Sequence, residues 1–355
     1  MQSVVLDRNS VFIKANEAPK SCGSEEVIVK IHAAALSAYD GGFRYGISRF
    51  VRAGKEKPGI GSSFSGEIVS VGSASCRFSP GNEVVGFVLN PYESMTLCTY
   101  IVVPESVCCG KPSGVPSAIA VSAVTDFMLA ERTLRLAKAN ESDSILITGG
   151  ATPLAKTLIE LAKSSMFGVE WVATTVNSLE ERLYSESIGA DETFDTNCNS
   201  GKWSQSFSTG ANRKEYDIVI DLVGDTKNAK RLVKRTTGRW TCLLNKCTPR
   251  ELLDFDSRVG GNYTLKLYRK LLSSPWVGNL LLGCSGRAKT AKYFSVIPSG
   301  DGEILERLFV LMETGAVTSS LERVVALKDV LEAVSSLRSD PFAPRGRMVV
   351  ELQVD

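Results

Sequence analysis

Ser144-Ile-Leu-Ile-Thr148 followed by Gly149-Gly150-Ala151-Thr152-Pro153 is the stretch whose reading decides the fold. A short apolar, β-branched run that ends in paired glycines reads as a strand feeding a tight turn. Leu154, Leu158, Leu161 and Ala162 then recur at helical spacing, with Lys156, Glu160 and Lys163 expected on the outer face. A second strand-like run, Val169 to Val176, comes next. Strand, glycine turn, helix and strand in this order make the βαβ unit that binds dinucleotides.

The turn is unusual in its chemistry. Counting Gly149 as the first glycine, Thr152-Pro153 occupies the second-glycine region and Ala155 the third position. Thr152 reads as a helix N-cap and Pro153 as the first helical residue, a strong helix start. Helix-start N–H groups bind phosphate because they lack intrahelical partners and carry partial positive charge. Pro153 has no N–H to offer, and the Thr152 hydroxyl competes for one of the remaining donors. Two readings stay open: a turn that holds a cofactor through Gly149, Gly150, Ala151, Thr152, Pro153 and Leu154, or a well-capped helix with little cofactor binding.

Outward from this unit, both flanks fit one architecture. Upstream, Val27 to Ala33, Phe64 to Gly72, Pro80 to Val88 and Tyr100 to Pro104 read as short strands separated by turn residues, a β-barrel-like domain. Ala118 to Ala137 reads as a helix. Downstream, Glu192 to Asp195, Tyr216 to Gly224 and Gly238 to Asn245 read as further strands of a parallel sheet covered on both sides. Asn262 to Cys284 reads as two short helices broken at Pro275, a packing or interface element. Tyr293 to Ile297 reads as strand, Glu303 to Glu313 and Lys328 to Leu337 as helices, and Arg347 to Leu352 as the closing strand. The expected fold class is α/β, with domain boundaries at 1–117 (barrel), 118–285 (dinucleotide-binding type) and 286–355 (return to the barrel with closing and linking elements).

Composition narrows the function. Lys plus Arg number 41 against 39 for Asp plus Glu, so no basic surplus suggests nucleic acid. The nine cysteines form no Cys-x-x-Cys pair, which suits a reduced chain. No apolar run reaches the roughly 18 residues of a transmembrane helix. Asp7, Glu17, Glu25 and Glu26 near the start disfavour an acid-poor transit peptide. A soluble, non-secreted protein is expected, in cytoplasm or mitochondrial matrix.

Val27-Ile-Val-Lys-Ile-His-Ala-Ala-Ala35, Asp40, Arg44 and Gly46, Phe64 to Gly72, Arg77 to Gly86, Tyr100 to Pro104, Ile188-Gly-Ala-Asp191, Tyr216 to Gly224 and Pro344 to Val350 fall in one order and spacing. In this the chain resembles the zinc-free medium-chain dehydrogenase/reductases of the quinone oxidoreductase type, and the long stretch from Thr248 to Val296 between the last two strands of the parallel sheet looks most like the mitochondrial reticulon-interacting branch. The resemblance implies a GroES-like barrel with an inserted Rossmann domain, and NADPH (or NADH) in the cleft between them. It implies hydride transfer to a quinone or an α,β-unsaturated carbonyl, chemistry in which the protein mainly orients two π-systems.

The same resemblance assigns roles. Asp40, Arg44 and Ser48 stand at its catalytic positions, although Asp40 and Arg44 read equally well as a structural ion pair. Ser37 and Thr125 stand beside the nicotinamide, Thr125 where the family contacts its amide. Asn177 and Arg182 stand at the ribose end, where Glu181 would oppose a 2′-phosphate. Gly224 and Asn245 stand at later strand ends. Zinc is not expected, since Ser37 and Gly61-Ser62-Ser63 occupy the positions of zinc ligands and His32 is the single histidine. The alternative to an enzyme is a catalytically weak or inactive protein of the same fold, serving as a structural or binding subunit of a larger assembly, in mitochondria or elsewhere in the cell; a homodimer is the other expectation.

Overall fold

The computed structural model describes residues 1–7, 10–15, 17–36, 60–88, 96–197, 203, 214–243, 292–293, 300–339 and 346–352. The N-terminal part forms strands β1 (Gln2–Asp7), β2 (Ser10–Ala15), β3 (Glu26–Leu36), β4 (Ser63–Val71), β5 (Glu83–Phe87), β6 (Tyr100–Pro104) and β7 (Cys108–Gly110). β3 is the axis of this sheet. It pairs antiparallel with β4, with β6 and with the closing strand β15 (Arg347–Glu351), while β14 (Leu321–Ala326) lies parallel to β15. Because β3 is covered on both faces, Val27 and Ile28 are both buried, and the simple in–out alternation expected of it fails at Ile28. His32 is half-buried, and its carbonyl accepts from the Leu352 N–H at 2.9 Å. Cys108 and Cys109 are buried in β7, and burial pushes both thiols up to about 12.

Helix α1 (Ser117–Ala137) carries the chain from one layer to the other. It is buried nearly all round, as expected of a helix rich in Ala, Val and Leu that is packed on both sides. One side of it joins Val85 and Phe87 of the barrel strands, and the same core continues into Ile145, Ile147, Leu158 and Ile218. Lys138, in the left-handed region at φ 53°, ends the helix.

The second sheet is wholly parallel: β8 (Ser144–Thr148), β9 (Trp171–Val176), β10 (Glu192–Asp195), β11 (Ile218–Asp221), β12 (Arg239–Cys242) and β13 (Lys292–Tyr293). Its spatial order is β10-β9-β8-β11-β12-β13. That is the doubly wound order, with the direction of winding reversing between β8 and β11. Helix α2 (Pro153–Lys163) follows β8, α3 (Leu179–Ser187) follows β9, and the single turn α4 (Thr226–Ala229) follows β11. Helix α5 (Gly302–Glu313) packs Leu305, Leu308 and Phe309 into the core of this half, whereas α6 (Val330–Ser339) packs Val330, Val334 and Leu337 into the barrel core. The stretch 262–284 lies outside the described residues, as do 294–297 of the strand expected at 293–297.

Lys156 departs from its expected place on the outer face of α2. It is buried, and its Nζ donates to Glu160 Oε2 at 2.9 Å and to the Thr318 carbonyl at 2.9 Å. The segment leaving α5 covers it, supplying a carbonyl and a hydroxyl that replace water around the ammonium. Two further polar contacts join the halves: Ser122 Oγ lies 2.8 Å from Ser319 Oγ, and the buried Arg347 guanidinium donates through Nε to Asp126 Oδ2 at 2.7 Å and through a second nitrogen to Oδ1.

Candidate functional site: the strand-end turns of the parallel sheet

The turn after β8 sits where the sheet reverses its winding, the place at which open α/β sheets bind ligands. Gly149 has φ +76°, a conformation glycine adopts without strain, and a Cβ there would lie 2.6 Å from Val223 Cγ1 of the turn after β11. A Cβ on Gly150 would run into Thr174 and lie 2.9 Å from Ser185 Oγ. Both glycines are therefore required by close approach, one to β11 and the other to β9 and α3.

The turn's donors divide into used and unused. Gly149 N–H donates to Thr175 Oγ1 at 2.9 Å, and Gly150 N–H to the Thr175 carbonyl at 2.9 Å. Thr152 N–H returns to the Gly149 carbonyl at 3.1 Å. Thr152 caps α2 as expected: its Oγ1 accepts from Ala155 N–H at 3.2 Å and donates to the Gly149 carbonyl at 2.9 Å, with Pro153 in the first turn. Ala151 and Leu154 are left, with N–H groups that have no hydrogen-bond partner among the described residues. Ala155 is fully buried, so its methyl is accommodated.

The turn after β11 is built differently. Thr148 and Asp221 are register partners at the ends of β8 and β11. Thr148 Oγ1 donates to Asp221 Oδ1 at 2.8 Å and accepts from Leu222 N–H at 2.9 Å. The same Asp221 oxygen accepts from the N–H groups of Val223, Gly224 and Asp225 at 3.2, 2.9 and 3.2 Å. Gly224 has φ +83° and its N–H faces inward to Asp221. Asp221 lies inside the run read as a buried strand, and only the cross-sheet register with Thr148 reveals its work.

At the ribose end, Ser178 caps α3 by accepting from Glu181 N–H at 3.2 Å. The Glu181 carboxylate turns back to accept from Asn177 N–H at 2.7 Å. The Asn177 side-chain oxygen accepts from the Thr196 hydroxyl, and its carbonyl accepts from Asn197 Nδ2 at 2.6 Å. Arg182 is exposed and has no ion-pair partner among the described residues. On the barrel side, the buried Thr125 hydroxyl donates to Ser63 Oγ at 3.0 Å and lies 3.3 Å from Ser62 Oγ, tying α1 to β4. Ser37, Asp40, Arg44, Ser48 and Asn245 lie outside the described residues. Among the described residues no group of three or more His, Cys, Asp or Glu side chains could hold a metal ion, and no helix is long and apolar enough to cross a membrane.

This geometry defines a class: a GroES-like barrel joined to a Rossmann-type parallel sheet. Residues 23–138 match the alcohol dehydrogenase GroES-like domain family. The fold is similar to that of the quinone oxidoreductase from Coxiella burnetii, with a TM-score of 0.76 at 19% identity and 99% of both chains covered. The chain is similar to the 2-methylene-furan-3-one reductase of Solanum lycopersicum, 28% identical over 67% of this chain and 59% of that protein. It is similar to the mitochondrial NAD(P)H oxidoreductase RTN4IP1 of Danio rerio, 26% identical over 93% of this chain and 84% of that protein. The chain thus carries an alcohol dehydrogenase GroES-like domain over residues 23–138 and has the fold of a quinone oxidoreductase.

Proposed function

We propose that the chain is a zinc-independent, NAD(P)H-dependent reductase of quinones or α,β-unsaturated carbonyls. The observation that carries this reading is the pair of unpartnered N–H groups, Ala151 and Leu154, at the head of α2 on the switch point of the sheet. The donor set suits a pyrophosphate that two backbone amides and the positive end of α2 would hold. The names of the tomato and zebrafish relatives support the same chemistry.

NAD(P)H, when bound, supplies the hydride. The protein's part is to bind and orient. Gly149 and Gly150 keep the backbone low under the phosphates, Ala151 and Leu154 hold them, and Thr125 stands between α1 and β4 at the nicotinamide position assigned by resemblance. Asp40, Arg44 and Ser48 are proposed to line the acceptor side, Arg44 polarising the carbonyl that gains negative charge. With the proposed division at 1–117, 118–285 and 286–355, the acceptor would lie between the barrel and the parallel-sheet lobe.

The test is cofactor oxidation, followed by absorbance, with a soluble benzoquinone and with an enone as separate acceptors. The unaltered chain is expected to turn over at least one of them, and Arg44→Ala to lower kcat/KM by about tenfold or more, as for loss of one transition-state hydrogen bond donor. No turnover with either acceptor, while cofactor still binds, would refute the reductase assignment.

A further inference from the structure

Glu181 is the third residue of α3 (Leu179–Ser187), and its carboxylate folds back to the tip of β9, where dinucleotide folds meet the adenosine ribose. It is held there twice. Its N–H donates to Ser178 Oγ at 3.2 Å, and its carboxylate Oε2 accepts from Asn177 N–H at 2.7 Å. Swinging the carboxylate away would leave the Asn177 N–H without this acceptor, while the Ser178 cap on α3 would remain. The two oxygens of Asn177 at this tip are already engaged, by Thr196 and by Asn197. Glu181 Oε1 therefore remains as the acceptor, with no hydrogen-bond partner among the described residues.

Cofactor chemistry follows from that placement. An unphosphorylated ribose presents hydroxyl donors, which a carboxylate oxygen accepts well. A 2′-phosphate at the same place presents only acceptors and further negative charge, and meets repulsion from a group that is fixed in position. Arg182 is the opposing influence. It is the next residue on α3, so it projects about 100° around the helix from Glu181. It is exposed, with no ion-pair partner among the described residues, so water screens its charge more than that of the partly buried, hydrogen-bonded Glu181 carboxylate.

We infer that Glu181 is a specificity residue that makes this site select NADH over NADPH, an inference that rests on the reading of the site as a dinucleotide cradle. Calorimetric titration of the full chain with each cofactor tests it, alongside Glu181→Gln, which keeps an acceptor for Asn177 N–H while removing the charge. The unaltered chain is expected to bind NADH about tenfold or more tighter than NADPH, the size of one unscreened charge contact near a surface. Glu181→Gln should shrink that ratio several-fold, and 5′-ADP should displace NADH more effectively than adenosine 2′,5′-bisphosphate. Equal or tighter binding of NADPH by the unaltered chain would overturn the inference and leave the cradle standing. An NADH preference unchanged in Glu181→Gln would overturn it too. Saturable binding of neither cofactor would overturn the cradle and, with it, this inference.

Discussion

The turns after β8 and β11 lie side by side on one edge of one sheet, close enough for Gly149 to meet Val223, yet they spend their backbone donors in opposite ways. At β11 a single buried carboxylate oxygen, Asp221 Oδ1, gathers three successive N–H groups, and Thr148 takes a fourth. That turn is closed on itself. At β8 the donors go to Thr175, to Gly149 and to the Thr152 cap, and two amides remain. The difference teaches that a glycine turn advertises binding through the donors it leaves unspent, rather than through its glycines. Gly224 and Gly149 both have positive φ, but the N–H of Gly224 is spent on Asp221, whereas Ala151 and Leu154 beside Gly149 have N–H groups with no hydrogen-bond partner among the described residues.

The largest effect is expected from breaking the closed turn. Asp221→Ala removes the acceptor of three backbone donors and of Thr148 in a buried site, at about 1–3 kcal/mol for each group left unpaired. A loss of about 4 kcal/mol in urea-unfolding free energy is expected, whereas a loss under 1 kcal/mol would mean the turn is not organised by this side chain. Gly150→Ala comes next. Its methyl meets Thr174 and Ser185, and overpacking of this kind costs about 1–3 kcal/mol. Cofactor affinity should fall with it, because the turn must lift off β9.

Smaller effects sharpen the contrast at the open turn. Thr152→Ala removes the cap on Ala155 N–H and should cost about 1 kcal/mol of stability. Since that amide is then released, binding of the nicotinamide cofactor should tighten rather than weaken, as measured by quenching of protein fluorescence. Pro153→Gly is expected to change stability by about 1 kcal/mol or less while adding a third free N–H. Tighter binding in this variant, with the helix retained by circular dichroism, would confirm that Pro153 limits the donor count.

How far the chain could be read without coordinates depended on the range of the interactions. Gly149, Gly150, Thr152 and Pro153 act on their immediate neighbours, so the strand, the turn and the capped helix were legible, and the alternation of strands and helices led to the doubly wound order. Interactions across the sheet or between the halves were not legible. Thr175 engages the glycine turn from another strand, Asp221 reveals its role only through its register with Thr148, and Lys156 is buried by Thr318, far along the chain. Sequence spacing sets Glu181 against a phosphate, but it does not specify the hydrogen bond from Asn177 N–H that holds the carboxylate at the strand tip.

The central claim is that the amides of Ala151 and Leu154 hold a dinucleotide. Thermal unfolding of the full chain with and without saturating NADH tests it most directly. At about 100 times its dissociation constant the cofactor should add roughly 2.7 kcal/mol of stability, and Gly150→Ala should lose most of that gain. Unchanged unfolding with millimolar NADH and NADPH alike would contradict the account, leaving the β8 turn as closed in function as its neighbour.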